Sequence, residues 1–181
     1  KLALDLCLFI NGLPVITIEL KNHFTGQTMA DAVEQYKEDR NPHDTLFSFK
    51  RCMVHFAVDD QTVMFCTKLA GKDSWFLPFN KGCGVGIHSG KGNPHNENGI
   101  NVSYMWEDYL WHDILTKWKL SRIIENYAQV VVDEDPDTKK KTVKQIWPRY
   151  HQLDCVEKLL TDVKQNGVGK RYLIQHSAGS G

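Results

Sequence analysis

Two apolar runs open the chain, Leu2 to Ile10 and Leu13 to Lys21, and each is long enough for a β-strand. Asn11-Gly12 lies between them and is the strongest short sequence signal for a β-hairpin. The pattern therefore predicts two antiparallel strands at the start of the chain.

The next segment changes to a helical period. Thr28 is a suitable N-cap, and Asp31 stands three residues later, as in a capping box. The apolar positions that follow the i, i+3, i+4, i+7 spacing are Met29, Ala32, Val33 and Tyr36. This spacing predicts an amphipathic helix with its apolar side toward a core.

Further patterns predict the remaining elements. Strands are expected over 51–58 and 62–68 around a turn at 59–61, with a short fifth strand at 75–79. The later segments predict one long helix or two over 102–127, a small hairpin over 130–143, a helix from Pro148 to about Val163, and a strand over 171–175. The composition changes near residue 128, which predicts a domain boundary there, with units 1–128 and 129–181.

Composition restricts the classes of protein that remain. A chain of 181 residues with 41% hydrophobic and 24% charged residues is typical of one globular domain and part of a second. Lys plus Arg and Asp plus Glu number 22 each, so whole-molecule attraction to nucleic acid is not indicated. Five widely spaced cysteines without zinc spacing indicate free thiols in a reducing compartment.

The hairpin carries the candidate chemistry. A three-residue loop, Ile10-Asn11-Gly12, would pair Asp5 with Thr17 and place Asp5 and Glu19 as diagonal neighbours on one face. The opposite face would then be a continuous core surface, made of Leu2, Leu4, Leu6, Leu8, Ile16, Ile18 and Leu20. A two-residue loop would instead put Asp5 and Glu19 on opposite faces.

Two converging carboxylates and a nearby lysine suit metal-assisted phosphodiester hydrolysis. Mg²⁺ prefers hard oxygen ligands, which Asp5, Glu19 and the Leu20 carbonyl could supply. Lys21 could orient the attacking water or stabilise charge on the phosphate. The alternative is an ordinary Glu19–Lys21 ion pair at a solvent-facing strand edge.

Four segments of the sequence carry a resemblance to a known family: LDLCLFINGLPVITIELKN, AVEQYKEDR, RYHQLDCVEKLL and the terminal YLIQHSAGSG. The first resembles the PD-(D/E)xK nuclease core, and together they resemble the restriction (R) subunit of type I restriction–modification enzymes. The resemblance implies an α/β fold with a mixed sheet flanked by helices, followed by the beginning of a RecA-like motor domain.

The resemblance also implies roles for individual residues. Asp5, Glu19 and Lys21 match the nuclease triad. Gln35 matches the glutamine of a Q-x-x-x-Y element that orients DNA, although Asp39 stands at its tyrosine position. The alternative for Gln35 is a solvated helix residue.

Further matches concern nucleotide binding. Arg149, Tyr150 and Gln152 resemble an adenine-reading segment of superfamily 2 translocases, with helix capping as the alternative. The terminal residues Gly179, Ser180 and Gly181 resemble the start of a Walker A loop, whose lysine would follow them. We therefore expect ATP to bind the full-length motor but not these 181 residues alone.

The function implied is Mg²⁺-dependent endonuclease cleavage of double-stranded DNA after ATP-driven translocation. The implied partners are modification (methyltransferase) and specificity subunits, and the implied location is the cytoplasm, with no membrane association. Two alternatives remain open: a non-catalytic nuclease-like module for assembly or DNA guidance, and an accessory domain of a helicase or translocase.

Overall fold

The computed structural model describes residues 3–82, 93 and 106–176. Contacts divide the chain into two units, Lys1–Pro148 and Arg149–Gly181. This division falls after residue 148, whereas the composition predicts a boundary near residue 128. Among the described residues, no helix has the length and apolar character needed to cross a membrane.

The first unit contains a mixed five-stranded sheet in the order β1-β2-β3-β4-β5. Its strands are β1 (Leu6–Ile10), β2 (Leu13–Leu20), β3 (Val54–Val58), β4 (Val63–Cys66) and β5 (Leu77–Pro78). Strands β2 and β3 are parallel, and the other neighbouring pairs are antiparallel. Helix α1 (Met29–Glu38) lies in the connection between the two parallel strands. The mixed sheet and its helices confirm the α/β class.

The first hairpin has a two-residue loop and not the alternative three-residue loop, and Thr17 pairs with Cys7 rather than with Asp5. Ile10 pairs with Leu13, and Asn11 and Gly12 both have positive φ, at 49° and 81°. These are the backbone requirements of a type I′ turn, which follows the twist of the flanking strands.

An irregularity in the strand pairing compensates for the shorter loop. The register shifts between Leu8 and Phe9, which leaves Val15 as an extra residue in β2, and beyond the shift Cys7 pairs with Thr17. A bulge of one residue reverses the parity of every pair that follows it. Continued by one residue, this register places Asp5 opposite Glu19. The two carboxylates therefore lie on the same face of the sheet, as the three-residue loop would also have placed them.

Strand β2 is buried on both faces. Ile16 and Ile18 lie on one face, and Thr17 and Glu19 on the other, and all four are 0% exposed. The adjacent strand β1 is an edge strand, and its Leu6 is 41% exposed. The predicted continuous core face is therefore wrong for β1, because covering elements bury β2 more completely than its edge neighbour.

Each face of the sheet has its own core. On the side of α1, the buried cluster comprises Ala32, Tyr36, Phe47, Ala57, Cys66 and Leu69. On the other side, aromatic rings meet edge to face around Phe56, which has Phe79 at 5.5 Å and Trp147 at 6.1 Å between ring centroids. Such pairs add to the burial of apolar area and fix the sheet between two packed layers.

The helix predicted over 102–127 is only partly correct. Residues 102–105 lie outside the described residues. A single π-helical turn at Leu110–Ile114 precedes α2 (Lys117–Asn126). Thr116 separates them in an extended conformation and caps α2. The predicted hairpin is confirmed as β6 (Gln129–Glu134) paired with β7 (Lys141–Ile146).

The second unit contains helix α3 (Tyr150–Asn166), as predicted after Pro148. The strand predicted over 171–175 is absent from this described segment, where the backbone has no regular structure. Instead, Lys170 and Tyr172 donate hydrogen bonds to the Asp162 carboxylate of α3, at 3.0 and 2.5 Å. Gly179, Ser180 and Gly181 lie outside the described residues, as does most of the segment 83–105.

Candidate nuclease site at the end of β2

Glu19 is the second-last residue of β2 and is 0% exposed. Its Oε1 accepts a hydrogen bond from Arg40 Nε at 2.7 Å and lies 2.5 Å from Arg40 Nη2 in an ion pair. Arg40 follows α1, is 3% exposed, and also donates from Nη2 to the Ala3 carbonyl at 2.6 Å. The guanidinium therefore fixes Glu19 through a buried, charge-assisted pair.

Asp5 stands immediately before β1 and reaches the same end of β2. Its Oδ2 accepts the backbone N–H of Leu20 at 2.8 Å. Burial raises the pKa of Glu19 to about 7, Arg40 opposes the rise, and the nearby Asp5 carboxylate adds to it. The structure thus brings the two predicted carboxylates together, with Leu20 beside both of them.

Glu19 Oε2 is buried and has no hydrogen-bond partner among the described residues. A buried carboxylate oxygen without a partner is costly, and a cation is one way to satisfy it. The donor set is therefore suited to a hard divalent ion such as Mg²⁺, which oxygen ligands hold.

Lys21 and Gln35 meet beside this pair. Lys21 Nζ donates to Gln35 Oε1 at 2.5 Å, from the residue after β2 to the middle of α1. Gln35 is therefore not simply a solvated helix residue. Asp39, at the position where the related element has tyrosine, is exposed and ends α1 through its backbone N–H, which donates to the Gln35 carbonyl at 2.9 Å.

A buried polar network holds α1 against the strand that carries Glu19. Thr17 Oγ1 lies 2.8 Å from Tyr36 Oη and 2.6 Å from His55 Nδ1. Burial lowers the pKa of His55 to about 4, so its ring is neutral at physiological pH. Because Tyr36 follows Gln35 in α1 and Thr17 precedes Glu19 in β2, the network fixes the two elements that position the site.

Arg40 is the residue that sequence reasoning missed. The signal that could have found it is physical: a carboxylate in a strand buried on both faces needs a cationic partner. The sequence indicated either a metal ion or Lys21 as the partner of Glu19, so no second cationic residue was predicted. The capping box of α1, in contrast, is confirmed, since Thr28 N–H donates to Asp31 Oδ2 at 2.6 Å.

The candidate nucleotide residues lie in the second unit. Gln152 Oε1 accepts the backbone N–H of Arg149 at 2.9 Å, and Arg149 is the N-cap of α3. Gln152 therefore caps a helix, which was the alternative to nucleotide binding. Binding of ATP by Arg149 and Gln152 stays a prediction.

Comparison with known proteins gives one match. Residues 1–74, less than half of the chain, match the family described as type I restriction enzyme R protein N terminus. No curated protein and no solved structure matches the chain. The matched range contains Asp5, Glu19, Lys21 and Gln35, and it supports an N-terminal region of a type I restriction enzyme R subunit, which is broadly a nuclease region.

Proposed function

We propose that the first unit is the Mg²⁺-dependent DNA endonuclease module of a type I restriction enzyme R subunit. The observation that carries this proposal is the meeting of Asp5 and Glu19 at the end of β2, with Lys21 held beside them by Gln35. All four residues lie in the range that matches the R-protein family.

Asp5, Glu19 and the Leu20 carbonyl are the groups that would hold the ion. When bound, Mg²⁺ would activate water and offset negative charge on the scissile phosphate. Arg40 occupies only Oε1 of Glu19, which leaves Oε2 for a ligand. The guanidinium therefore orients the carboxylate while one oxygen stays available.

Lys21 would orient the attacking water and stabilise the charge that develops on the phosphate oxygens. Its ammonium retains two further donor hydrogens while one is given to Gln35. Gln35 is in this proposal a positioning residue, since it acts on Lys21 rather than on the phosphate.

One observation favours a second candidate, a non-catalytic nuclease-like module that guides DNA or aids assembly. A buried Arg40–Glu19 pair with a raised Glu19 pKa is also what a purely structural ion pair would present. In that case the family architecture remains, but the carboxylates bind no ion.

The wider proposal concerns the complete protein. We propose that this module acts with an ATP-driven motor and with modification and specificity subunits, and that the specificity subunit selects the DNA sequence. The family match supports the R-subunit context. The equal numbers of acidic and basic residues fit a module that receives DNA from partners.

The decisive experiment combines Mn²⁺ calorimetry with nicking of supercoiled plasmid. Binding should be lost in Asp5→Asn and Glu19→Gln and kept in the matched control Glu34→Gln, an exposed carboxylate of α1. Lys21→Ala should bind Mn²⁺ like the wild type but lose nicking, since it supplies no metal ligand.

The outcomes separate the two candidates. Equal Mn²⁺ binding in all folded variants would contradict the Asp5–Glu19 site. Metal binding without nicking in any protein, in the presence of the other subunits, would favour the guiding module.

A further inference from the structure

A pocket of about 480 Å³ opens where β2 and β3 end. Asp5 and Glu19 do not line it, whereas Leu20 and Lys21 of the candidate nuclease site do. Its polar lining comes from the loop after β2, from the turn after β3 and from the segment before the π-helical turn, and comprises Lys21, Asn22, Thr25, Gln27, Asp59, Asp60 and Glu107. The parallel pairing of β2 and β3 brings the first two of these segments together.

Asp59 and Asp60 of this lining form a cluster with the neighbouring, exposed His23, and one ligand atom of each residue lies within 4.8 Å of the others. His23 Nδ1 contacts Asp60 Oδ1, which fixes the orientation of the imidazole ring. His23 Nε2 lies 3.8 Å from Asp59 Oδ2. This distance is too long for a hydrogen bond. It is less than the summed length of two metal–ligand bonds of about 2.1 Å each, so one ion could bind both atoms.

The turn holds Asp59 rigidly. Its Oδ1 accepts the backbone N–H groups of Gln61 at 2.9 Å and Thr62 at 2.6 Å, and its Oδ2 accepts the first N–H of α1, from Met29, at 2.7 Å. A carboxylate oxygen has two lone pairs, so Oδ2 can also face an ion. The ligand geometry is thus fixed by backbone contacts on two sides.

Glu107 provides the independent observation that points to a ligand. It is 3% exposed, lines the pocket, and its Oε2 has no hydrogen-bond partner among the described residues. Burial raises the pKa of Glu107, and the Asp60 and Asp59 carboxylates add to the rise. Placing a third carboxyl group, buried, next to two others is unfavourable unless a cation balances them.

Acidic groups outnumber basic ones in the pocket lining. The carboxyl groups of Asp59, Asp60 and Glu107 accompany one lysine, Lys21, whose ammonium donates to Gln35. A phosphate alone would be repelled by this lining, whereas a divalent cation would be attracted.

We propose that this pocket is a second cation site, which binds a divalent transition-metal ion between His23 Nε2 and Asp59 Oδ2. Asp60 orients the imidazole through Nδ1, as carboxylates do for metal-bound histidines, and Glu107 adds the negative charge of a further buried carboxyl group to the same pocket. An imidazole nitrogen among the ligands favours Zn²⁺ or Co²⁺ over Mg²⁺, Ca²⁺ and Mn²⁺. The site goes beyond the proposed function, because it needs neither Asp5 nor Glu19.

The test is a Co²⁺ titration of the whole chain, followed by visible absorption and calorimetry at pH 7.5. This pocket should bind one Co²⁺ with d–d bands and without thiolate charge-transfer absorption, in addition to any Co²⁺ that Asp5 and Glu19 hold. His23→Gln and Glu107→Gln should weaken binding at least tenfold, roughly the effect of losing a ligand or its supporting partner. His43→Gln, which changes an exposed histidine, is the matched control and should bind like the wild type, whereas Glu19→Gln should keep the Co²⁺ of this pocket.

Each other result overturns the proposal. Unchanged affinity in folded His23→Gln, absence of Co²⁺ binding by the wild type, or thiolate absorption would each remove the site. If Glu19→Gln lost Co²⁺ binding and His23→Gln kept it, the ion would belong to the endonuclease site instead. Circular dichroism and urea unfolding verify folding, and Glu107→Gln is nearly isosteric, so it should fold.

Discussion

Burial and ion pairing shift the pKa of Glu19 in opposite directions. Burial favours its neutral form, while the hydrogen bond and the positive charge of Arg40 favour its carboxylate. The balance raises the pKa to about 7 from an ordinary value of 4.5. A buried ion pair is costly to form in this way and is more costly to break, because the remaining charge has no partner.

The first prediction follows from this raised pKa. A carboxyl whose folded-state pKa exceeds its unfolded value stabilises the protein fully below the unfolded pKa. That contribution is lost as the pH rises from about 4.5 to about 7. Without metal, the free energy of unfolding of the wild type should therefore fall by up to about 3 kcal/mol over this window, relative to Glu19→Gln.

Urea unfolding in EDTA at a series of pH values measures this difference. Glu34→Gln, which changes an exposed carboxyl of α1, is the control and should keep the wild-type pH profile. Parallel profiles for the wild type and Glu19→Gln would show that the Glu19 carboxyl is ionised throughout, as a structural pair with Arg40.

At the scale of elements, the hairpin sets the geometry of the site. The turn needs two consecutive residues with positive φ, and the bulge after it restores the face of Asp5. If the turn changed length, every residue of β1 before it would move to the opposite face relative to β2. The position of Asp5 beside Glu19 depends on this turn.

The second prediction concerns Gly12, whose φ is 81°. A Cβ there would meet no atom within 4 Å, so the cost of Gly12→Ala is backbone strain alone. We expect a loss of about 1–2 kcal/mol in the free energy of unfolding. Asn11→Gly, with φ 49° in the same turn, should be nearly neutral.

Urea unfolding compares the two variants, and Mn²⁺ calorimetry then reports whether Asp5 keeps its place. Gly12→Ala as stable as Asn11→Gly would contradict the type I′ assignment of the turn.

The elements were more predictable than their pairing. The hairpin, α1 with its capping box and the strands around the turn at 59–61 follow from local signals that the backbone obeys directly. The bulge at Val15 was not predictable, because it depends on which residues of β2 other elements bury. Arg40 was missed for the same reason, since its role depends on Glu19 being buried on both faces of β2.

The π-helical turn before α2 is another feature that local sequence patterns did not predict. The segment is rich in aromatic residues that fit a continuous helix, but Tyr109 donates its hydroxyl to the Phe79 carbonyl at 2.8 Å. This tertiary contact with the residue after β5 lies immediately before the π-helical turn. Periodicity carries no information on such a contact.

At the scale of the molecule, the hairpin β6–β7 belongs by its contacts to the first unit. The Gln145 side chain donates to the Cys52 and Met53 carbonyls at 2.7 and 2.6 Å. Trp147 is 4% exposed and meets Phe56 at 6.1 Å between ring centroids. These contacts satisfy backbone carbonyls beside β3 and cover one face of the sheet.

The third prediction uses these contacts to locate the end of the folding unit. A chain ending after Pro148 should unfold cooperatively and bind Mn²⁺ like the whole chain. A chain ending after Ala128 lacks the Trp147 ring and the Gln145 hydrogen bonds, and it should be less stable by about 3–5 kcal/mol. Gln145→Ala and Trp147→Leu in the whole chain should each account for part of that loss. Equal urea midpoints for the two truncated chains would instead place the end of the folding unit near residue 128, and β6–β7 would then be a link between units rather than part of the first.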